Sequence, residues 1–481
     1  MEGAESRSMA CIESGGQDFV GRGDEGDGGH VRTGTVWTAT AHIITAVIGA
    51  GVLGLPWSVA QLGWVLGPAA ILLFAWVTYY TALLLADCYR YPDKAAGQRN
   101  RVYMDAVSTI LGPKQEKLCG VAQHIDLWGA LIGYTITTST SMMAVKKSNC
   151  FHKYGHDSEC RMSGNLYMIL FGVIEIVLAQ LPNLEKVTLL SIIAAIMSFA
   201  YSLIGLGLCI AKVAMNGKLK GSLTGTEVND GGMSLATKTW NAFQALGNIA
   251  FAYTYAVVLI EIQDTMKSPP PENESMRRAN FYAVGVTTVF YMTLGCIGYA
   301  AFGNSSPGNF LTGFGFYEPY WLIDIGNICV IVHLVGAYQV YAQPIFFHLE
   351  NWIAKSWPAF YTRDKVYRIS LPKTTTMFEF TIMRLVVRSS FIVLMTLVAM
   401  IIPFFNAVMG LLGALTFWPL TVYFPVSMYM VQEKVKRQTF TWFRLKFLDL
   451  ISMVVCILAA VGSVAGIIDS LKHAAPFKSS Y

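Results

Sequence analysis

The chain has 481 residues, of which 54% are hydrophobic and 14% charged, with a formal net charge of +5. Soluble domains run at roughly 45–50% apolar and about 25% charged, so this supply of charge excludes an ordinary aqueous surface. The apolar residues are also clumped, as in Ile71-Leu72-Leu73-Phe74 and Ile401-Ile402-Pro403-Phe404-Phe405, and runs of about 20 of them cross a hydrocarbon core of roughly 30 Å. An all-α polytopic membrane protein follows, because helices satisfy their own backbone groups in lipid.

Residues 1–34 are rich in Gly, Asp and Glu and hold no apolar run. They lack the basic start and apolar core of a signal peptide and read as a disordered cytoplasmic tail. A transporter domain of about eleven spans occupies 35–470, with spans near 35–62, 64–86, 118–145, 164–181, 187–213, 239–266, 281–302, 319–349, 377–402, 406–431 and 441–470. Their connections alternate in charge. The more basic set includes the tail, Arg90 to Lys117, Lys186, Lys267 to Arg278, Lys355 to Lys373 and Lys434 to Lys446. The positive-inside rule places that set and the N-terminus in the cytoplasm. An odd number of spans then puts residues 471–481 outside as an extracellular C-terminal tail.

The first span is interrupted by Gly49-Ala50-Gly51-Val52-Leu53-Gly54-Leu55-Pro56. Three glycines and a proline make a poor continuous helix, and opened backbone in a membrane is tolerated only beside a cavity or ligand. The freed N–H and C=O groups, with the half-helix dipoles, suit a carboxylate and an ammonium. Ile48, Gly49, Ala50, Gly51 and Val52 are therefore candidate substrate contacts. Gly49-x-Gly51-x-x-Gly54 also has the form of a dinucleotide fingerprint, but no strand precedes it and no acid lies about 20 residues on. In the same span His42 forms a polar stripe with Thr38 and Thr45 that leads to the break, and an imidazole exchanges protons near neutral pH.

In the third span Gln123, Asp126, Ala130, Thr137 and Ser141 share one face, with Asp126 suited to a proton or a cationic side chain. The outer loop at 146–163 carries Cys150 and Cys160, the two of nine cysteines placed in an oxidising compartment, and a disulfide is the preferred reading. Cys150-x-His152-x3-His156-x3-Cys160 also has zinc-like spacing, which stands as the alternative. The sixth span weakens near 247–255, giving Phe251, Ala252 and Tyr253 as further substrate contacts. Interrupted helices opening two sets of five spans point to an inverted repeat with a midplane site. Glu261 and Asp264, three apart near the inner end of this span, are candidates for an inner gate with Arg384 or Arg388. In the eighth span Asp324, Asn327, Tyr338 and Gln339 lie on one arc, with Asn327 a candidate substrate contact; His333 falls about half a turn away from Asp324. The candidate proton-coupling groups are His42, His333, Asp126, Glu261 and Asp324.

These residues resemble a known family. The stretch from Thr40-Ala41-His42-Ile43 to Gly49-Ala50-Gly51-Val52-Leu53 is similar to the first helix of plant amino acid permeases, members of the amino acid/auxin permease family within the APC superfamily. The likeness continues at Ala86-Asp87-Cys88-Tyr89-Arg90, Gly133-Tyr134-Thr135-Ile136-Thr137, Lys147-Ser148-Asn149-Cys150-Phe151-His152 and Ile249-Ala250-Phe251-Ala252-Tyr253. It runs on through Glu261-Ile262-Gln263-Asp264-Thr265, Gly336-Ala337-Tyr338-Gln339-Val340 and Phe417-Trp418-Pro419-Leu420-Thr421-Val422-Tyr423-Phe424-Pro425. The resemblance implies a leucine-transporter type of fold, a 5+5 inverted repeat plus an eleventh helix. It also implies proton-coupled uptake of amino acids at the plasma membrane, with the broken helices holding the α-carboxylate and α-amine. His42 and His333 match the two family histidines. The chain departs from the family pattern where it has Asn248 in place of an acid, and where His124 and Asp126 stand in place of an aromatic residue and an amide, a change that suits cationic substrates.

The sequence thus predicts a secondary active symporter with no cofactor beyond protons as the coupling ion. Its partners are an amino acid, protons and the lipid bilayer, and no nucleic acid. The alternatives are an auxin or other small organic acid carrier of the same family, or a nutrient receptor that binds without transporting. No HExxH, histidine-rich box or GxSxG occurs, so an enzyme is not expected.

Overall fold

A computed structural model describes residues 32–94, 96–160, 162–180, 184–227, 234–315, 319–358, 366–370 and 377–473. The expected tails at 1–34 and 471–481 lie largely outside these residues. Among the described residues there are fourteen α-helices: α1 Val36–Val47, α2 Leu55–Asp87, α3 Tyr103–Leu111, α4 Pro113–Tyr154, α5 Gly164–Ala179, α6 Leu184–Asn216, α7 Leu235–Ala252, α8 Ala256–Asp264, α9 Glu272–Phe302, α10 Tyr320–Ser356, α11 Ile382–Ile401, α12 Phe405–Thr416, α13 Phe424–Gln432 and α14 Phe440–His473. A 3-10 turn at Ala50–Gly54 joins α1 to α2, and a π-helical turn at Phe417–Tyr423 joins α12 to α13. Among the described residues eight helical stretches are alone long and apolar enough to cross a membrane, and Val36–Val47 and Gly164–Ala179 are shorter apolar helices.

The α2 stretch divides at Gly63, whose φ of 81° is open to glycine at little cost. A methyl group at Gly67 would stand 3.1 Å from the Cα of Val59, whereas residues eight apart in a straight helix are about 12 Å apart. The chain therefore doubles back at Gly63, closing span one and starting span two. Any side chain at Gly63 would also collide with the main chain of Leu223 and Gly225. With this division, α1 and the start of α2 form the first span, α7 with α8 the sixth, and α12 with α13 the tenth. The two sets of five each open on an interrupted helix, and α14 packs as the eleventh span against α7 and α12.

Polarity is arranged for lipid. Leu73, Leu170, Val286 and Val461 are exposed on the outside of the bundle, while Thr137, Ser141, Asn280 and Gln339 are buried within it. The ninth span begins at Ile382 rather than 377, because Met377–Thr381 is strand β4, paired antiparallel with β3 at Val366–Ser370. Its apolar content matched a helix; its alternating Met-Phe-Glu-Phe-Thr pattern fits a hairpin. A second hairpin pairs β1 Arg90–Tyr91 with β2 Gln98–Arg99.

The end of the bundle that holds the start of α1 is called the inner end here. There Asp87-Cys88-Tyr89-Arg90, at the end of α2, ties three helices together. Asp87 accepts from Arg277 at 2.6 Å and Asn273 at 3.1 Å on α9. Tyr89 donates to Asp264 at the end of α8 at 2.7 Å. Arg90 meets both oxygens of Glu272, at 3.0 and 2.7 Å, and Arg99 adds a third contact at 3.1 Å. Gln432 of α13 donates to the carbonyls of Asp87 and Arg90. At the π-helical turn the carbonyl of Leu420 would meet Pro425 five residues on, which has no N–H. Tyr103 of α3 supplies the missing donor at 2.6 Å.

Candidate functional site

The first interruption follows from composition. α1 opens with a reciprocal capping box between Thr35 and Thr38 and ends at Val47. Ile48 (φ −80°, ψ 87°) and Gly49 (φ −133°, ψ −152°) leave helical space, and Pro56 sits in the first turn of α2, where its missing N–H costs nothing. The main-chain bonds across the gap run from Ile48 N–H to the Ile44 carbonyl, from Gly49 N–H to Val47, and from Val52 N–H to Gly49. Ala50 and Gly51 are the first residues of the 3-10 turn, so their N–H groups have no acceptor within it. They form the positive end of a half-helix, suited to a carboxylate.

The second interruption has no glycine or proline. α7 ends at Ala252, the chain tightens through Tyr253 N–H to Ala250 and Thr254 N–H to Phe251, and α8 begins at Ala256. Tertiary contacts hold it open: Tyr253 donates to Thr288 at 3.2 Å and Tyr255 to Asn280 at 2.9 Å, both acceptors on α9.

The two interruptions meet. A methyl group at Gly51 would lie 3.0 Å from the Cα of Ala252 and 3.2 Å from the Phe251 ring. Gly413 of α12 closes the other side of Phe251, where a side chain would strike the carbonyl of Gly247 and the N–H of Phe251. His333 of α10 faces the gap: its Nε2 is 3.9 Å from the position a methyl group on Gly49 would take. Its Nδ1 is 2.8 Å from the carbonyl of Ala194 on α6. A carbonyl only accepts, so Nδ1 carries the hydrogen, and in the neutral ring Nε2 is an acceptor turned toward the break. The buried hydroxyl of Tyr291 on α9 reaches the carbonyls of Val47 and Ala252 at 2.6 and 3.1 Å.

The two approaches to the site differ. On the outer side residues 303–313 cover it: Phe310 presses on Gly205, Leu311 on Gly326, and Gly308 and Gly54 both adjoin Asn406. On the inner side α1 packs on α8 and α9 and buries Ala39, Ile43 and Val47, leaving Thr38 and His42 exposed and Thr45 partly so. Arg32, just before α1, pairs with Asp264 at 2.8 Å, and a short bridge from Gly34 to Met266 adds main-chain bonds.

The candidates therefore separate. Ile48, Gly49, Ala50, Gly51 and Val52 come together with Phe251, Ala252 and Tyr253, and His333 joins them although its helical angle set it apart from Asp324. His42 lies on the exposed inner face of α1. Asp126 is buried on α4 beside Thr416 and near Tyr134 and Tyr341, and the contacts described place it on the α12 side rather than at the break. Asn327 is buried six residues before His333; its amide donates to Ile323 and its oxygen has no partner among the described residues. Asp324 is at the outer end, where it accepts from Asn149 at 3.0 Å. The inner gate expected with Arg384 or Arg388 is corrected: both arginines pair with Glu350, at 3.3 and 2.7 Å. Asp264 takes Arg32 instead, and Glu261 accepts from the N–H of Tyr103. Ion pairs across a bundle depend on tertiary approach, which helix spacing alone does not give. Cys150 and Cys160 are joined in a disulfide, so neither sulfur is a thiolate for zinc.

Sequence reasoning missed two residues. Glu175 of α5 is fully buried; one oxygen accepts from Gln339 at 2.6 Å and the other has no partner among the described residues. A lone acid in an apolar run was itself the signal. Tyr291 carried no such signal. Asn248, buried on α7, has neither amide atom paired among the described residues.

The profile of the family described as transmembrane amino acid transporter protein matches residues 32–469. Amino acid permease 2 of Arabidopsis thaliana is 54% identical over 455 residues, covering 95% of this chain and 92% of that protein. Amino acid permease 8 of the same plant is 54% identical over 471 residues, covering 98% of each. Lysine histidine transporter-like 1 is 29% identical over 441 residues, with 91% and 89% covered. Among solved structures, MhsT in complex with L-phenylalanine matches at a TM-score of 0.52 and 10% identity, over 90% of this chain and all of that one, which shows a shared fold.

Proposed function

This chain belongs to the transmembrane amino acid transporter family and is similar to plant amino acid permeases across nearly its whole length, and on that premise we propose that it is a symporter importing amino acids with protons across the plasma membrane by alternating access. Amino acid transport across a membrane is what the family supports; the coupling ion, the cycle and the address of the membrane are the proposal. The observation that carries it is the meeting of two interrupted helices. N–H groups at Ala50 and Gly51 offer the positive end of one half-helix to an α-carboxylate. The negative ends of α1 and α7, beyond the two carbonyls that Tyr291 takes, suit the positive charge of an α-amine.

We assign the coupled proton to His333, and its position supports that reading. Its Nε2 faces the break and gains a positive charge on protonation, beside the place proposed for the carboxylate. A proton and an amino acid bound together would then favour one another, which is the thermodynamic core of symport. The covered outer approach and the exposed polar stripe of Thr38 and His42 support assigning this conformation to the inward-facing half of the cycle. The amino terminus is assigned to the cytoplasm and, with eleven spans, residues 471–481 to the outside. Asp126 beside the α12 side of the core is assigned to side-chain selection rather than to the α-groups.

Radiolabelled amino acid uptake in a transport-deficient cell at two external pH values tests the reading. Concentrative uptake that rises as external pH falls is the expected result. Uptake indifferent to pH removes the proton, and absence of uptake for neutral, acidic and cationic amino acids alike removes the function.

A further inference from the structure

Tyr291 joins the two interruptions through one atom. Its side chain is fully buried on α9, and its hydroxyl lies 2.6 Å from the carbonyl of Val47 and 3.1 Å from that of Ala252. Val47 is the last residue of α1 and Ala252 the last of α7. In unbroken helices the N–H groups of Gly51 and Ala256 would satisfy these two carbonyls. The breaks release both and turn them to one point, at the negative ends of two half-helix dipoles. Half-helix ends and unwound carbonyls converging in this way are the means by which broken transporter helices hold a monovalent cation.

Here the point is held by a hydroxyl. A phenol has one proton to donate, so it binds the nearer carbonyl of Val47 and shares that hydrogen with Ala252. The ring is fixed in place: it packs edge-on to Tyr253 at 5.2 Å, and Tyr253 is itself tied to Thr288, one turn before Tyr291 on α9. Gly49 N–H gives Val47 a second donor at 3.0 Å, while the main-chain bonds described at the break include none to Ala252.

We propose that the Tyr291 hydroxyl occupies an incipient monovalent cation site between the ends of α1 and α7, and that it is the positioning residue that holds both breaks in register without a metal ion. A shared hydrogen gives the two carbonyls a positive pole and adds no net charge, so transport needs no Na⁺, K⁺ or Li⁺ at this point. The inference rests on the reading that the paired breaks form the substrate site.

The test uses the full chain with Tyr291→Phe and Tyr291→Ala. Y291F keeps the ring, removes the hydrogen and leaves no room for an ion; uptake at unchanged surface level is expected to fall about tenfold or more, in any salt. Y291A opens the space. Its uptake and its thermal unfolding midpoint are expected to rise in NaCl or LiCl relative to choline chloride at equal ionic strength, while wild type is unchanged by the swap. Y291F with wild-type uptake, or Y291A indifferent to all three cations in both measurements, overturns the proposal. If Y291A is not recovered, Y291F alone decides. The unfolding measurement needs no transport, so a protein that moves no amino acid but whose Y291A form is stabilised by Na⁺ fails the functional reading and keeps this one.

Discussion

Two glycines two residues apart in the first break should respond differently to the same methyl group. At Gly51 the added carbon would stand 3.0 Å from the Cα of Ala252, 3.2 Å from its Cβ and 3.2 Å from Phe251 Cδ1. Ordinary carbon contacts need about 3.5–4.0 Å, and the nearest atom is main chain, which cannot rotate away. Spans one and six must therefore part by roughly half an ångström. Overpacking of this kind costs about 1–3 kcal/mol, equal to about a 5- to 150-fold loss of the binding-competent arrangement. At Gly49 the nearest atom is His333 Nε2 at 3.9 Å, an ordinary contact, and the φ of −133° accepts alanine. Gly51→Ala is thus expected to lower the unfolding midpoint and raise KM for uptake in that range, and Gly49→Ala to leave the unfolding midpoint near wild type. The reasoning is refuted if G51A melts and transports as wild type, or if G49A is the less stable of the two.

Three further expectations follow from named contacts. Arg32→Ala leaves the Asp264 carboxylate, 7% exposed, with Tyr89 as its side-chain partner among the described residues; loss of about 3 kcal/mol in unfolding free energy is expected, with much of it returned in the Arg32→Ala, Asp264→Asn double variant, and a cycle that shows simple additivity counts against the pair. His333→Gln keeps an amide donor for the Ala194 carbonyl but cannot take up a proton, so its residual uptake should not change with external pH; a retained acid optimum places the proton elsewhere. Burial alone would raise the Glu272 carboxyl, but the hydrogen bonds and charges of Arg90 and Arg99 hold it below its ordinary value. A depressed carboxyl stabilises the fold fully above the unfolded value of about 4.3 and loses that contribution as pH falls through the lower folded value. Unfolding midpoints should therefore be level above about pH 5.5 and drop below about pH 4, with a shallower drop in Glu272→Gln; equal slopes in both proteins contradict this account.

Local chemistry made one break readable and hid the other. Gly49, Gly51, Gly54 and Pro56 oppose a helix wherever they fall, so the first gap follows from composition. The second, at Tyr253, Thr254 and Tyr255, contains ordinary residues and is held by Thr288 and Asn280 on another span; only its place in the order of spans hinted at it. Helical angle was a poor guide to facing. It set His333 apart from Asp324, yet the gap lies on the His333 side, while the Thr38, His42 and Thr45 stripe is regular but turned away from the core. Gate partners were beyond reach because Arg32 and Asp264 are 232 residues apart. Met377–Thr381 is a strand that hydropathy alone reads as the start of a helix, because averaging erases the alternation that distinguishes the two.

The knot of charges at the inner end also bears on which pieces travel together. Asp87, Tyr89 and Arg90 bind the foot of the second span to those of the sixth and seventh, and Arg32 moors the first span to the sixth. A rocking motion that opened a path by parting any of these four would have to sever these ionic and hydrogen bonds, whereas sliding them as one block past the third, fourth, eighth and ninth would leave all of them intact. The boundary between the two blocks runs past His333, which is anchored to α6 through Ala194 and looks across at Gly49, so its imidazole would sit on the seam and sense their separation directly.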